Sequence, residues 1–237
     1  MIVLFLLILF AAFTIQSLTG FGGPLIAMPL GISVVGVEAA KPVITLCAWA
    51  SAAVIALKNR RDIVSRELVK MSGTMLVFMA AGLWLFRNVH MQFLQVIYGA
   101  VVLCIGLKKL FWPSGKPMPG WMVVLSICLA GVMQGLFVSG GSFLVVYAVA
   151  AIPEKRKFRA TLSGVWAVVN IFLLISYVID GSFTPEALKL SALGLIPLSG
   201  AVVTGSLLAG RLDQKTFLRA AYILLVISGA ILLLTNL

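Results

Sequence analysis

The chain has 237 residues, of which 62% are hydrophobic and only 11% charged, and its formal net charge is +11. A mean hydropathy of +1.15 predicts a membrane protein. Lipid offers no hydrogen-bond partners, so the backbone polar groups must bond to one another, as they do in helices. The same composition excludes a soluble nucleic-acid-binding protein, since it leaves no soluble basic surface large enough for a duplex.

Apolar runs separated by short polar breaks make up nearly all of the chain, and they predict membrane helices. Each half contains five of them: 1–18, 24–37, 42–57, 69–86 and 91–107, then 121–138, 142–152, 160–179, 188–209 and 217–236. The second run of each half is shorter than the ~20 residues that a full span needs. Residues 112–120, rich in Pro and Gly, predict a linker between a first repeat at 1–111 and a second at 121–237.

A glycine motif closes the first run and recurs in the second half. Residues 16–23 read QSLTGFGG, and residues 134–141, a constant 118 positions later, read QGLFVSGG. Glycine-broken segments at matching places of two halves are typical of transporter substrate sites, where a short helix directs its positive N-terminal end at an anion. We therefore predict an anion site that includes Gly20, Gly22, Gly23, Gly140 and Gly141. Glycines that serve only close helix packing are the alternative.

Polar side chains flank both motifs. Gln16 and Gln134 lie one turn before the breaks, inside apolar runs, and must find hydrogen-bond partners there. Either they bind a substrate oxygen or they bond to the unwound backbone of their own motif. Pro24 is predicted in the first turn of the helix that follows the first break. Ser142 is predicted to cap the equivalent helix and to belong to the site.

A pair of cations recurs at the same spacing. Lys41 matches Arg159, and Thr45 matches Ser163 one turn further along. These four residues stand near the starts of equivalent helices, and we include them in the predicted site because cations near the two mouths of a pathway attract an anion. For Arg159 the alternative is a side chain at a loop end that extends to the membrane surface, as long basic side chains do.

Lys and Arg are concentrated in alternate loops. If the first two runs of each half form a hairpin, 15 of the 18 basic residues fall at 58–70, 108–119, 153–159 and 211–219. An excess of basic residues marks the cytoplasmic side, so the linker is predicted to be cytoplasmic and both termini periplasmic. The two halves then have opposite orientations, which is an inverted repeat.

Acidic and histidine side chains lie only near the ends of the apolar runs. Pumps that relay protons normally keep such a group within the membrane, so a proton relay carried by the protein is not expected. The sequence also lacks a nucleophile paired with histidine, a cluster of metal ligands and a phosphate-binding loop. We therefore predict neither an enzyme nor a cofactor or metal site.

The whole chain resembles a known family. Two halves that each open with an apolar run broken by a Gly-Gly motif resemble the sulfite exporter TauE/SafE family of bacterial membrane permeases. The best local matches are residues 20–24 (GFGGP), 140–142 (GGS) and 159–163 (RATLS). The family often shows GxGGG, whereas this chain has Pro24 in the first copy and Val138 and Ser142 in the second. The resemblance implies movement of sulfite or organosulfonates across the inner membrane.

We thus predict an all-α integral membrane protein of two inverted repeats, each a glycine-broken helical hairpin plus three transmembrane helices. It is expected in the bacterial inner membrane, exporting a small sulfur-containing anion, sulfite or an organosulfonate, through a central site between two broken helices. A permease for another small anion, such as a carboxylate, and a membrane scaffold that transports nothing are the alternatives. The predicted partners are the substrate and membrane lipid, and a homodimer is left open.

Overall fold

A computed structural model describes residues 1–86, 96, 100, 103–104, 106–108, 110–111, 119–138 and 140–234. Its helices are α1 Ile2–Thr19, α2 Gly23–Val35, α3 Val37–Lys58, α4 Ser65–Phe86, α5 Gly120–Phe137, α6 Gly141–Ala151, α7 Lys155–Ile179, α8 Pro185–Arg211 and α9 Gln214–Leu234. A 3-10 turn, Arg60–Asp62, joins α3 to α4. Much of the predicted run at 91–107 and most of the linker lie outside the described residues.

The described helices suit a membrane. Five of them (α1, α3, α4, α7 and α8) are long and apolar enough to cross a bilayer, judged by length and composition. Helices α2 and α6 have 13 and 11 residues, less than a full span, as predicted for the second run of each half. The prediction of an all-helical membrane protein is confirmed, whereas the inversion of the repeats stays a prediction.

The helix boundaries repeat at the spacing found in the sequence. Helices α5, α6 and α7 each begin 118 residues after α1, α2 and α3, respectively. Helices α1 and α5 also have the same length of 18 residues. The local signals that end one helix and begin the next therefore act at equivalent places in both halves.

One compact unit comprises residues 1–72 and 156–212, which include α1, α2, α3, α8 and most of α7. Phe5, Leu9 and Phe13 of α1 are buried in its core. Glycines of α8 let α1 approach closely, since a Cβ on Gly205 would come within 2.6 Å of the Ser17 Cβ. This packing fixes the C-terminal end of α1, where the first break begins.

The other compact unit comprises residues 73–155 and 213–237, which include α5, α6, α9 and the C-terminal part of α4. Here α5 lies against α4 at Gly131 and Gly135, spaced as in the GxxxG packing motif. A Cβ on Gly131 would come within 2.7 Å of the Phe78 Cβ. Each unit contains helices from both halves of the sequence, and the predicted repeat boundaries stay a prediction.

Candidate substrate site

The first helix break lies between α1 and α2. Gly20 and Gly22 both have a φ of +89°, in the left-handed region that residues with a Cβ rarely adopt. The N–H of Gly20 donates to the Gln16 carbonyl at 2.7 Å and so closes the last turn of α1. Helix α2 then begins at Gly23, with Pro24 in its first turn as predicted.

The second break, between α5 and α6, repeats this geometry without the glycine. Val138 stands at the position equivalent to Gly20 and has a left-handed φ of 55°. Its N–H donates to the Gln134 carbonyl at 3.0 Å, the counterpart of the Gly20–Gln16 bond. A left-handed conformation costs a residue with a Cβ roughly 1–2 kcal/mol. The surrounding structure therefore holds the break in place against the preference of Val138.

The predicted glycines lie where the breaks require them. Gly22 precedes α2, Gly23 begins it, Gly140 precedes α6 and Gly141 begins that helix. Gly140 lies so close to the Ala130 carbonyl that a Cβ would collide with it. The placement of these glycines outside helices or at helix starts is confirmed, and their contact with a substrate stays a prediction.

The two flanking glutamines make different hydrogen bonds. Gln134 Oε1 accepts from the Gly140 N–H at 3.1 Å, so this side chain bonds to the backbone of its own motif. Gln16 Nε2 donates to Ser51 Oγ on α3 at 2.9 Å. Its Oε1 lies against Gly23, where a Cβ would collide with it. Gln134 thus follows the backbone-bonding alternative, and Gln16 joins α1 to α3 beside the first break.

Ser142 does not cap α6, so that prediction is wrong. Helix α6 begins at Gly141, and Gly140, two positions before Ser142, occupies the capping position. Ser142 lies in the first turn, where its hydroxyl is buried and has no hydrogen-bond partner in the described structure. Ser17, just before the first break, also has a buried hydroxyl with no hydrogen-bond partner in the described structure. Such groups retain hydrogen-bonding capacity that a ligand can use.

Arg159 packs against the first break. Its Nε donates to the Ser17 carbonyl at 2.5 Å and its Nη2 to Ser206 Oγ at 2.7 Å. A Cβ on Gly20 would approach the Arg159 Cα to 3.2 Å. The half-buried side chain therefore turns into the protein rather than extending to the membrane surface. Both of its acceptors are neutral, and within the described residues no carboxylate pairs with the guanidinium.

Trp166 is a residue of this site that the sequence reasoning missed. Its indole is buried, and Nε1 donates to the Gly20 carbonyl oxygen at 3.0 Å. A buried indole N–H requires an acceptor, and the end of a helix offers unsatisfied carbonyls. Trp166 follows Arg159 by seven residues and so lies on the same face of α7. This seven-residue spacing from Arg159 is the feature of the sequence that could have identified Trp166 as part of the site.

Lys41 and Arg159 are the fifth residues of the equivalent helices α3 and α7. Lys41 lines a cavity with Tyr177 and Asp180, at the C-terminal end of α7, whereas Arg159 lies near the N-terminal end. The rise of 1.5 Å per residue between Arg159 and Tyr177 separates these two ends by roughly 27 Å. The two cations therefore lie at opposite ends of α7.

Thr45 and Ser163, one turn beyond the two cations, are both buried. Thr45 Oγ1 faces the Tyr177 hydroxyl, but the two oxygens do not form a hydrogen bond of ordinary geometry. The structure thus brings Lys41 and Thr45 to one end of α7 and Arg159 to the other. Within the described ranges, no group of three or more His, Cys, Asp or Glu side chains is placed to hold a metal ion.

Apolar helices with two equivalent breaks are the architecture of a helical membrane transporter. The chain matches the family described as Sulfite exporter TauE/SafE over residues 4–232, and it belongs to that family. It is also 25% identical, over 181 residues that cover 72% of this chain and 73% of the relative, to the "Probable inner membrane transporter protein TsaS" of Comamonas testosteroni. No solved structure matches the chain significantly. The predicted family is confirmed.

Proposed function

We propose that the protein exports a small sulfur-containing anion, sulfite or an organosulfonate, through a central site between its two helix breaks. The sulfur chemistry is taken from the family's description. The observation that carries the preference for an anion is the position of Arg159 against Gly20, where, among the described residues, its hydrogen bonds go to neutral acceptors. A half-buried cation without a carboxylate partner is stabilised by a bound anion, through charge-assisted hydrogen bonds.

The two breaks supply further donors of the kind an oxyanion needs. The first N–H groups of α2 and α6 have no acceptor within their own helices, and helix starts carry a partial positive charge. The buried hydroxyls of Ser17 and Ser142 add donors beside the first and the second break, respectively. This set of groups binds the oxygens of sulfite or a sulfonate without requiring a specific carbon skeleton.

The arrangement of α3 and α7 supports an inverted repeat. Lys41 near the start of α3 shares a cavity with Tyr177 near the end of the equivalent helix α7. Equivalent helices therefore meet start to end, as two oppositely oriented repeats require. Combined with the bias in basic residues, this supports a multi-pass protein with both termini in the periplasm. We assign it to the bacterial inner membrane, the membrane named for the Comamonas testosteroni relative.

The membrane potential supplies a driving force for export. A negative cytoplasm favours outward movement of a monoanion by about 2.3 kcal/mol per 100 mV. Among the described residues of the five candidate spans, Glu38, Glu67 and Glu186 are confined to the first turns of their helices. We therefore propose potential-driven export without a proton relay carried by the protein.

Flux measurements on purified protein in liposomes test this function. Liposomes loaded with sulfite, methanesulfonate or acetate are diluted into anion-free buffer, and the efflux of each anion is compared with that from protein-free liposomes. We expect faster efflux of sulfite and methanesulfonate, and a smaller effect on acetate. Efflux of acetate alone would favour a carboxylate permease. Efflux of none of the three, from correctly folded protein, would favour a scaffold.

A further inference from the structure

Gln16 and Ser51 form a buried polar pair beside the first break. Gln16 of α1 is only 3% exposed, and Ser51 of α3 is fully buried. Gln16 Nε2 donates to Ser51 Oγ at 2.9 Å and to the Ala48 carbonyl at 3.3 Å. The Ser51 hydroxyl in turn donates to the same Ala48 carbonyl at 3.1 Å. Three hydrogen bonds therefore join the amino group of Gln16, one hydroxyl and one carbonyl.

These bonds fix the orientation of the Gln16 amide. A carbonyl oxygen can only accept, and the single hydroxyl hydrogen of Ser51 is already donated to the Ala48 carbonyl. Both partners on α3 therefore need a donor, which only the amino group of the Gln16 amide supplies. The amide oxygen must then point away from α3, and it lies against Gly23, the first residue of α2.

The start of α2 offers unused donors beside this oxygen. Within the described residues, the N–H groups of Gly22 and Gly23 have no hydrogen-bond acceptor. Gln16 Oε1 likewise accepts no hydrogen bond from any described residue. Polar atoms of buried residues that lack a partner retain hydrogen-bonding capacity that a bound ligand can use. The first break thus presents backbone donors together with one side-chain acceptor.

The second break lacks this available acceptor. Gln134 stands at the position equivalent to Gln16, but its Oε1 accepts from the Gly140 N–H at 3.1 Å. The position equivalent to Ser51, 118 residues later in the sequence, is Val169, which has no hydroxyl. The second break therefore uses its glutamine oxygen to bond to its own backbone, whereas the first break leaves that oxygen to a ligand.

We infer that Gln16, positioned by Ser51, determines the specificity of the first break by favouring an anion that carries a hydrogen-bond donor. One oxygen of such an anion accepts from the backbone N–H groups, and its hydroxyl donates to Gln16 Oε1. A sulfonate has only acceptors, so it leaves the Gln16 oxygen unpaired. The inference rests on the proposed function for the class of ligand. Within that class it selects hydrogensulfite, in its O-protonated form, over an organosulfonate.

Two probes of the same shape and charge test this preference. At mildly acidic pH methylphosphonate is a monoanion with one hydroxyl, and methanesulfonate is a monoanion without one. Titration calorimetry on the full-length protein in detergent measures both affinities in the wild type, Ser51→Ala and Ser51→Thr. Ser72→Ala is the matched control, because Ser72 is also a buried helical serine whose hydroxyl donates to a carbonyl of the preceding turn, that of Leu68.

The wild type should bind methylphosphonate about fivefold more tightly than methanesulfonate, the size of one hydrogen bond. Ser51→Ala should weaken only methylphosphonate binding, by about threefold, because the Gln16 amide loses a bond that holds its oxygen towards Gly23. Ser51→Thr, which keeps a hydroxyl, and Ser72→Ala should retain the preference.

Binding of neither probe, equal affinity of the wild type for both, or equal weakening of both by Ser51→Ala would overturn the inference and assign Gln16 and Ser51 to helix packing alone. Sulfite efflux from liposomes is scored separately. A calorimetric preference without efflux would support the inference and refute the proposed export, whereas efflux without the preference would do the reverse.

Discussion

Trp166 donates its indole N–H to the carbonyl oxygen of Gly20, the residue that caps the C-terminal end of α1, at 3.0 Å. The bond links α7 to the backbone of the first break, 146 residues earlier in the chain. Arg159, two turns before Trp166 on α7, donates to the Ser17 carbonyl in the same turn of α1. One face of α7 therefore holds the end of α1 at two points.

Replacing the indole tests whether this hold matters. Trp166→Phe keeps a buried ring but removes the donor, so the Gly20 carbonyl loses its partner, which should cost about 1–3 kcal/mol of unfolding free energy. We also expect slower sulfite transport, since the break loses one of its two anchors. Trp121→Phe is the control, because Trp121 is exposed. If thermal unfolding and flux of the two variants are alike, Trp166 does not position the break.

A reciprocal exchange tests the strain at the second break. Val138→Gly should change the free energy of unfolding by less than about 1 kcal/mol, because relief of the left-handed backbone, roughly 1–2 kcal/mol, offsets most of the loss of the buried valine side chain. Gly20→Val should lower it, because Gly20 has a φ of +89° and a Cβ there would meet the backbone of Arg159 at 3.2 Å. Thermal unfolding of both variants and the wild type in the same detergent measures the two changes in stability. A loss in Val138→Gly as large as that in Gly20→Val would show that the backbone of Val138 stores no strain that glycine relieves.

The space at Gly140 gives a sharper test of the breaks. Gly140→Ala places a Cβ against the Ala130 carbonyl, so the second break must shift, and Gly140→Leu should abolish transport. Gly73→Ala is the matched control, because no atom lies within 4 Å of the Cβ it would add. Flux should fall strongly in Gly140→Ala and stay normal in Gly73→Ala. Normal flux in Gly140→Leu at normal expression would exclude this break from the pathway.

Neutralising Arg159 tests the charge at the first break. Arg159→Gln should raise the KM for sulfite, more at low ionic strength, where the attraction of a partly exposed charge is least screened. Arg159→Lys keeps the charge but cannot reproduce the forked contacts to Ser17 and Ser206, so it should recover only part of the affinity. Uptake across a salt series measures both. A KM for Arg159→Gln that equals the wild-type value at low salt would reduce Arg159 to a structural anchor.

The repeat and the placement of the breaks were predictable because they depend on local signals. Glycine at 22 and 23, Pro24 and the apolar runs determine helix ends through backbone conformation alone. The cap at Ser142 was predicted wrongly: the capping residue is Gly140, two positions earlier, and its N–H donates to Gln134 Oε1. Choosing between those two capping positions requires the position of a side chain six residues away.

The contacts around Arg159 could not be predicted, because they join distant parts of the chain. Trp166 is 146 residues from Gly20, and Ser206 is 47 residues from Arg159. Nothing in an apolar run indicates which helix lies beside it when nearly every side chain is hydrophobic.

The central claim, electrogenic movement of a sulfur oxyanion through the breaks, is tested by the equilibrium distribution of methanesulfonate, a permanent monoanion. Liposomes containing the wild-type protein are held at an imposed potassium diffusion potential, and internal and external methanesulfonate are measured after equilibration. Uniport of a monoanion predicts that the ratio of internal to external methanesulfonate changes about tenfold for each 60 mV. This dependence on the potential should be lost in Gly140→Leu. A ratio that ignores the potential, or one that follows it equally in Gly140→Leu and in protein-free liposomes, would contradict the account.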